Sequence, residues 1–476
     1  MGIAIARGRG EEVVRHADSS AAVPLRRLCC DPLLLLIATG GLFLRWVLSL
    51  QRPGLLLEDA DGYLAHAEAL LELGRFAGPF TGESTAFRPP GFVLLLSIPL
   101  TLGFGSGGAV LAVQLAMSLL CFWGVAVLAV LFGLPRSMML LAVAGVACDP
   151  LLLLYSIQPM SEVPCAAVLV AAFALYVRSG AGGWGAVGTA AVTGRSRLLA
   201  VLAGMLFAMG GLIRPAVLPA AGLCFVAGAV GWLHAGRPWM AVTGGLRSTN
   251  WEGPGLVFAA VCGFAAGLFP WVLRNGLVFG SLIPATTHGG YTLALGNNPD
   301  FYRDVIHQSV GNPGNGYPWR GEYLEAWQQR TLAEAAKSGV RPGDEMGLDR
   351  WYYGHALSSI RDDWTAFRKA CVLRLLRFWA VTGTMVSGGV TDWLIGAWYT
   401  CWWCGLVSAL VCRRTRGYWP LAIQMWICVA VFCLLHLVYW TDTRMRAPVM
   451  PLLIVLSLGG IRSLVVCVRE RLRSRV

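Results

Sequence analysis

Long apolar stretches separated by shorter polar connections dominate the pattern of the 476-residue chain. A stretch of about twenty apolar residues is long enough to cross the hydrocarbon core of a bilayer as a helix. Such stretches occur near residues 32–50, 108–132, 137–155, 161–178, 198–213, 215–233, 255–273, 390–411, 418–439 and 446–468. The pattern therefore predicts an all-α polytopic membrane protein, a bundle of about ten (ten to twelve) transmembrane helices.

The arginines predict which connections face the cytoplasm, because cytoplasmic loops are enriched in Lys and Arg. With ten spans, one side receives the arginine-rich segments 1–31, 178–197, 237–247, 413–417 and 469–476. Residues 91–105 are apolar but short and contain Pro99. Counting them as another span would move every later arginine-rich loop to the other side. We therefore predict that both termini are cytoplasmic and that residues 91–105 form a juxtamembrane helix on the outer face.

This topology divides the chain into five parts. They are a disordered cytoplasmic tail (1–31), an N-terminal transmembrane region (32–274) with a first outer loop (51–107), an extracytoplasmic loop (275–370), C-terminal transmembrane helices (371–468) and a cytoplasmic tail (469–476). The long polar segments fall on the outer face, which predicts an extracytoplasmic functional site.

Composition agrees with the membrane class. The chain is 56% hydrophobic and only 13% charged, too little charge for the surface of a soluble protein of this length. The net charge of +12 is carried almost wholly by arginine, since Lys337 and Lys369 are the only lysines. Cytoplasmic loops account for this charge, and no nucleic-acid partner is expected. None of the 14 cysteines lies in 51–107 or 275–370, which argues against a disulfide framework.

The first outer loop places Glu58, Asp59 and Asp61 within four positions, directly after the first span. Carboxylates this close repel one another, which raises the pKa of at least one and suits it to act as a general base. The alternative role is solvation of the interface, or ion pairing with Arg45 or Arg52.

Several arginines lie where the topology disfavours them. They are Arg45, Arg214, Arg274, Arg444 and Arg446, all near predicted outer helix ends. Burying such a charge at a helix centre costs about 2.5–3.5 kcal/mol on insertion scales. One alone would be explained by snorkelling to lipid headgroups. Five on the same side indicate an anion site, because a guanidinium group binds phosphate or diphosphate with paired hydrogen bonds.

Six short motifs occur in a defined order between residues 33 and 465. They are Asp59-Ala-Asp-Gly-Tyr63, FRPPGF at 87–92, Ser161-Glu162, IRPA at 213–216, PWVLRNGLVFGSLIPATTHGGYTLALGNNP at 270–299 and TDTRMRAPVMP at 441–451. In this order the motifs resemble the GT-C superfamily of membrane glycosyltransferases. The resemblance is to the family-39-like group of bacterial protein O-mannosyltransferases and aminoarabinose transferases.

The resemblance implies a GT-C-like bundle with outer juxtamembrane helices, in the inner membrane of a bacterium. It implies an inverting transfer of a sugar from a polyprenyl-phosphate donor to a hydroxyl of a protein, lipid or glycan at the outer face. The D-x-x-x-Y register favours Asp59 as the base, with Asp61 second and Glu58 assisting.

The resemblance also assigns binding roles. The donor phosphate would be bound by Arg214, Arg274, Arg444, Arg446 and Arg88, and the sugar or acceptor by Tyr63, Glu162, His288, Asn297 and Asn298. Glu162 is also a candidate ligand for a divalent metal, the one cofactor left open.

A transporter or flippase of lipid-linked saccharides is the alternative from another class. It would use the same arginines for phosphate and would need no base. It would also place polar residues near the middle of the spans, where this sequence has few.

Overall fold

The computed structural model describes residues 25–182, 193–235, 252–307, 322–382, 389–411 and 419–473. Within these ranges the chain is helical, apart from turns and one isolated β-bridge between Ala77 and Ser84. The helices are α1 (Pro32–Gln51), α2 (Tyr63–Leu73), α3 (Pro90–Thr101), α4 (Ser106–Leu131), α5 (Arg136–Ala147), α6 (Pro150–Tyr155), α7 (Glu162–Ser179), α8 (Gly194–Ile213), α9 (Val217–Ala235), α10 (Glu252–Phe279), α11 (Gly289–Gly296), α12 (Glu322–Lys337), α13 (Glu345–Asp362), α14 (Trp364–Trp379), α15 (Val390–Val411), α16 (Trp419–Val438) and α17 (Met450–Arg473). A 3-10 helix, Thr443–Val449, leads into α17. The predicted arginine-rich segments 237–247 and 413–417, and residues 1–24 of the predicted tail, lie outside the described residues.

Seven of the described helical segments are long and apolar enough to cross a membrane. They are α1, α4, α7, α8, Gly253–Phe279 of α10, α15 and Thr443–Arg473. Shorter apolar helices accompany them: α3, α5, Val217–Leu233 of α9 and Ala422–Val438 of α16. The prediction of an all-α polytopic architecture is confirmed, and the chain is a multi-pass integral membrane protein.

The stretch predicted as one span at 137–155 is broken into α5 and α6. The side chain of Asp149 accepts hydrogen bonds from the N–H groups of Leu151 and Leu152, and Pro150 occupies the first position of α6. An Asp cap followed by Pro is a strong helix start, which interrupts the preceding helix. The twelve residues of α5 rise about 18 Å, well short of the roughly 30 Å hydrocarbon core.

Helix α7 lies at the centre of the bundle, packed against α4 and α8. Fifteen of its 18 residues are buried, most of them Ala, Val or another small side chain. Small side chains allow neighbouring helices to approach from several directions. The first residue of α7 is Glu162, so the densest part of the core fixes the position of this carboxylate.

Helices α8 and α10 cross in close contact at glycines. A Cβ atom at Gly204 would lie 1.9 Å from the carbonyl oxygen of Ala260, and one at Gly263 would lie 2.1 Å from that of Val201. These distances leave no room for any side chain, so the two backbones touch directly. The crossing fixes the end of α8, which is where Arg214 follows.

Residues 289–307 and 322–379 contain a second apolar cluster, which we call the cap. Its helices are α11 to α14, and Phe301, Trp327 and Tyr352 are among its buried aromatic side chains. Arg374 of α14 donates hydrogen bonds to the carbonyl groups of Leu437 and Val438. The cap is thereby attached to the end of α16, close to the turn that carries Arg444.

Candidate active site

The three acids of the first polar loop have different surroundings. Glu58 is exposed. Oδ2 of Asp59 accepts a hydrogen bond of 2.9 Å from the N–H of Ala65, in the first turn of α2, and so caps that helix. Gly62 turns the chain into α2 with φ of 74°, a conformation that favours glycine. Asp61 directly precedes this turn, and its carboxylate faces the guanidinium groups of Arg88 and Arg444.

Asp61 belongs to a group of five side chains, which we call the charge cluster: Asp61, Arg88, Glu162, Arg214 and Arg444. Oδ1 of Asp61 lies 3.6 Å from Nη2 of Arg88, and Oδ2 lies 3.3 Å from Nη1 of Arg444. Oε1 of Glu162 lies 3.3 Å from Nε of Arg444 and 3.0 Å from Nη2 of Arg214. Three guanidinium groups face two carboxylates, which leaves one net positive charge.

Elements far apart in sequence bring these groups together. Glu162 begins α7 and Arg214 directly follows α8. Arg444 lies in the 3-10 helix before α17, where the side chain of Asp442 accepts a 2.7 Å hydrogen bond from its N–H. Arg88 directly precedes the Pro-Pro pair that starts α3. Each position is a helix end, where a side chain leaves the packed core.

The two aspartates of the loop are perturbed in opposite directions. Burial alone would raise the pKa of Asp61. The nearby guanidinium groups, Arg444 first and then Arg88 and Arg214, lower it to about 2. Burial raises the pKa of Asp59 from its ordinary value, and hydrogen bonds from α2 offset this only in part. Asp61 is therefore ionised at pH 7, whereas Asp59 accepts from the backbone of α2.

His288 and Tyr63 border the cluster at Arg88. Nε2 of His288 lies 3.4 Å from Nη1 of Arg88, and its ring stacks on Tyr291 with centroids 4.9 Å apart. Burial, assisted by the charge of Arg88, holds the pKa of His288 well below its usual value, so the imidazole is neutral at pH 7. Nδ1 of His288 has no hydrogen-bond partner within the described chain. The Arg88 guanidinium carbon lies 5.6 Å from the centroid of the Tyr63 ring.

Three of the arginines singled out in the sequence lie outside the charge cluster and donate to backbone carbonyl groups instead. The acceptors are Gly41 and Ala147 for Arg45, Thr85 and Phe76 for Arg274, and Phe378 and Ala380 for Arg446. Arg45 and Arg446 are each 1% exposed. In these contacts the guanidinium groups satisfy buried carbonyls and connect segments of the fold.

Asn297 and Asn298 are fully buried and bound to the backbone. The Asn297 amide donates to the carbonyl groups of Leu293 and Val438, at 2.9 and 2.8 Å. Oδ1 of Asn298 accepts from the N–H of Phe301 at 2.8 Å and caps a single helical turn, Pro299–Phe301. The structure uses both amides to shape the turn after α11.

Sequence reasoning missed Glu345, the first residue of α13. Its carboxylate accepts hydrogen bonds from the hydroxyl of Thr85 at 2.5 Å, the N–H of Ala86 at 2.9 Å and the hydroxyl of Thr287. Acids are common in the first turn of a helix because they complement its dipole, so nothing in the sequence marked Glu345 as special. Only the fold shows that it reaches two segments beside the charge cluster.

The acids of the site do not form a metal centre. Within the described ranges, no three His, Cys, Asp or Glu side chains are grouped as metal ligands. Asp61 and Glu162 already face guanidinium groups, which would repel a divalent cation. This arrangement of carboxylates does not fit the divalent metal that the sequence left open, so no metal is assigned to the site.

Comparison with known proteins gives matches only among solved structures. No protein-family model matches the chain, and no curated protein does. An oligosaccharyltransferase from Archaeoglobus fulgidus, in its apo form, is similar with a TM-score of 0.46 and 15% identity over 90% of this chain and 50% of that chain. ArnT from Cupriavidus metallidurans, also apo, is similar with a TM-score of 0.33 and 14% identity over 84% of this chain and 72% of that chain.

Both neighbours are GT-C membrane glycosyltransferases, the group that the sequence motifs resemble. The chain spans about half the length of the oligosaccharyltransferase.

Proposed function

We propose that the chain is a membrane glycosyltransferase that moves a sugar from a polyprenyl-phosphate donor to an acceptor hydroxyl, with inversion at the anomeric carbon. The observation that carries this proposal is the charge cluster, in which an ionised aspartate and three arginines meet at helix ends. The order of the six sequence motifs supports it, because the cluster draws a residue from five of them.

The arginines of the cluster suit a lipid-borne phosphate. Three guanidinium groups offer many fixed N–H donors, and their net positive charge complements a phosphodiester anion. Oε1 of the fully buried Glu162 pairs with Arg214 and Arg444, so this carboxylate holds both groups in place. The donor phosphate would therefore bind Arg88, Arg214 and Arg444, while Arg274 and Arg446 keep structural roles.

We assign the general base to Asp61, ahead of Asp59 and Glu58. In the free protein the pKa of Asp61 is about 2, too low for an effective base. A bound phosphate competes for Arg88 and Arg444, the same groups that lower this pKa. Donor binding would therefore release Asp61 and raise its basicity where the acceptor hydroxyl arrives.

Transfer of the sugar is a single displacement at the anomeric carbon. The acceptor oxygen attacks the anomeric carbon, the bond from that carbon to the phosphate oxygen breaks, and the hydroxyl proton passes to Asp61. Polyprenyl phosphate leaves with one more negative charge than it had as a diester. The arginines stabilise this developing charge, which makes their contribution larger in the transition state than in the ground state.

Location follows from the predicted topology. Both termini would be cytoplasmic, and the charge cluster and the cap would lie at the extracytoplasmic face of a bacterial inner membrane. The lipid chain of the donor would lie between apolar helices, and the sugar would face the aqueous side. The cap is then placed to receive the acceptor.

The decisive experiment uses purified full-length protein in liposomes with a panel of radiolabelled polyprenyl-phosphate sugars. Native protein should release polyprenyl phosphate and transfer the sugar to an acceptor or to water. Asp61→Asn should lower the rate by about 10²–10⁴-fold, the usual contribution of a general base. An unchanged rate in this variant would remove Asp61 from the mechanism.

The same liposomes test the transporter alternative. Movement of intact donor to the opposite leaflet, without release of polyprenyl phosphate by any donor in the panel, would contradict the transferase. Such a flippase should also remain active in Asp61→Asn, because moving the donor breaks no bond and needs no base.

A further inference from the structure

We infer that Glu345 is a positioning residue that aligns Arg88 and His288 for the donor. This inference rests on the proposed function, because it gives a role to groups assigned there to the donor site. It deepens that function by linking the cap to the phosphate-binding arginines. Glu345 itself makes no contact with the charge cluster among the described residues, so it would act through its neighbours.

Two segments carry the groups to be aligned, and they run side by side. The N–H of Thr287 donates to the carbonyl of Ala86 at 3.0 Å, and the hydroxyl of Thr286 donates to the carbonyl of Phe87. One residue further along each segment, Arg88 meets His288 at 3.4 Å. The contact between the guanidinium and the imidazole therefore depends on the register of this pairing.

Glu345 fixes that register from the cap. One carboxylate oxygen accepts from the N–H of Ala86 and the hydroxyl of Thr287, and the other accepts from the hydroxyl of Thr85. A single half-buried anion thus holds both segments at once. Charge-assisted hydrogen bonds of this kind are stronger than neutral ones, so the pairing is held firmly.

Arg274 holds the first segment from the opposite side. It donates to the carbonyl groups of Thr85 and Phe76, both at 2.8 Å, from the end of α10. The segment that carries Arg88 is therefore fixed between a membrane helix and the cap. Removing only the cap contact would leave the segment attached to the bundle but free to shift against His288.

Cap helix α13 also packs against α11, which begins beside His288. Asp349 of α13 accepts a 2.7 Å hydrogen bond from the N–H of Gly290. A Cβ atom at Gly290 would lie 2.1 Å from the carbonyl oxygen of Asp349, so this contact is close. Any movement of α13 would therefore displace the His288 segment along with Glu345.

The test compares Glu345→Ala, Glu345→Gln and the control Asp344→Ala, each as full-length protein in liposomes. Asp344 is adjacent in sequence, and its side chain caps α13 by accepting from the N–H of Gly347. The control therefore weakens the same helix start without touching the Arg88 and His288 segments. Glutamine keeps one oxygen for the N–H of Ala86, and its amide can donate to the threonine hydroxyls.

We expect Glu345→Ala to raise the KM for the donor and to lower kcat/KM by about 100-fold, as misplaced binding groups do. Glu345→Gln should recover most of the lost kcat/KM, and Asp344→Ala should resemble the native protein. Hydrogen exchange should rise at residues 85–88 and 286–290 in Glu345→Ala only. Hydrogen exchange needs no turnover, so it reports on the pairing of the two segments even if the protein transfers no sugar.

The outcomes separate the two proposals. If the native protein is inactive but the variants show the predicted exchange pattern, the proposed transferase function is overturned and the positioning role of Glu345 is supported. Active protein in which Glu345→Ala matches Asp344→Ala in donor KM and kcat/KM would overturn the positioning role. Unchanged hydrogen exchange in Glu345→Ala would overturn it as well, whatever the activity. The positioning role would also be contradicted if kcat/KM falls in Glu345→Ala and Glu345→Gln does not recover it.

Discussion

Asp59 and Asp61 show how strongly position within one turn determines what a carboxylate can do. Asp59 accepts from the backbone of α2, and burial raises its pKa. Asp61 directly precedes Gly62 and faces arginines, which lower its pKa to about 2. The sequence register favoured Asp59 as the base, and the geometry leads us to propose Asp61.

The proposed competition between phosphate and Asp61 makes a prediction about binding. Asp61→Asn removes an anion that occupies Arg88 and Arg444, so polyprenyl phosphate should bind about tenfold more tightly, a change of roughly 1.4 kcal/mol. Binding would be measured with a labelled polyprenyl phosphate in detergent. Asp59→Asn is the control, since asparagine still accepts from the N–H of Ala65, and its affinity should match that of the native protein. Equal affinity in Asp61→Asn and native protein would contradict the competition.

Arg444 and Arg446 are separated by one residue but have different partners, which predicts different consequences of substitution. Arg444 faces Asp61 and Glu162, so Arg444→Gln should weaken phosphate binding by about ten- to 100-fold with little change in thermal stability. Arg446 satisfies two buried carbonyl groups, so Arg446→Gln should lower the free energy of unfolding by roughly 1–3 kcal/mol. Binding assays and thermal unfolding of both variants would check this. The reverse assignment of effects would place Arg446 in the donor site.

At the scale of elements, the contact between α8 and α10 determines where Arg214 emerges. Gly263 lies against the backbone of Val201, with no space for a Cβ atom. Gly263→Ala should force the helices apart and destabilise the protein by about 1–3 kcal/mol, the usual cost of overpacking.

Gly255 provides a control for this substitution on the same helix. A Cβ atom there would meet nothing within 4 Å, so Gly255→Ala should be neutral or slightly stabilising, because alanine favours helix. Thermal unfolding in detergent would compare the two variants. Equal stability would mean that the crossing is looser than the structure shows.

The hydrophobic pattern of this chain predicts the helices well but predicts their ends less well. Apolar length alone indicated the helical spans, because the bilayer sets that length. The break at Asp149 was missed, although an Asp cap followed by Pro150 is a local signal, because the surrounding apolar residues concealed it. The short, Pro-interrupted stretch at 91–105 was predicted to be a juxtamembrane helix on the outer face. Helix α3 is short, with 12 residues, and its position relative to the membrane stays a prediction.

At the scale of the whole molecule, side-chain roles were much harder to predict than spans. The sequence identified a set of unusual arginines but had no means of sorting them, because Arg214 and Arg274 differ only in what the fold places beside them. Arg214 meets Glu162, whereas Arg274 meets backbone carbonyl groups. Glu345 was missed for the same reason, since its partners lie about 60 and 260 positions away.

Membrane topology can be checked through the two lysines of the chain. Lys337 and Lys369 are both exposed and both belong to the cap, which we predict to be extracytoplasmic. A membrane-impermeant amine reagent should therefore modify both lysines in intact cells or right-side-out vesicles. The N-terminal amine should react only after permeabilisation. Modification of the lysines only in permeabilised membranes would reverse the predicted orientation.

The position of Glu162 at the first residue of the most buried helix has a practical consequence for engineering. A one-residue slip of α7 would turn this carboxylate by about 100° and disturb fifteen buried side chains at once. Mutagenesis libraries for new acceptors should therefore leave α7 unchanged and diversify the exposed positions of α12 and α13. Caps grafted from other proteins would be worth trying only where they retain a carboxylate at the position of Glu345.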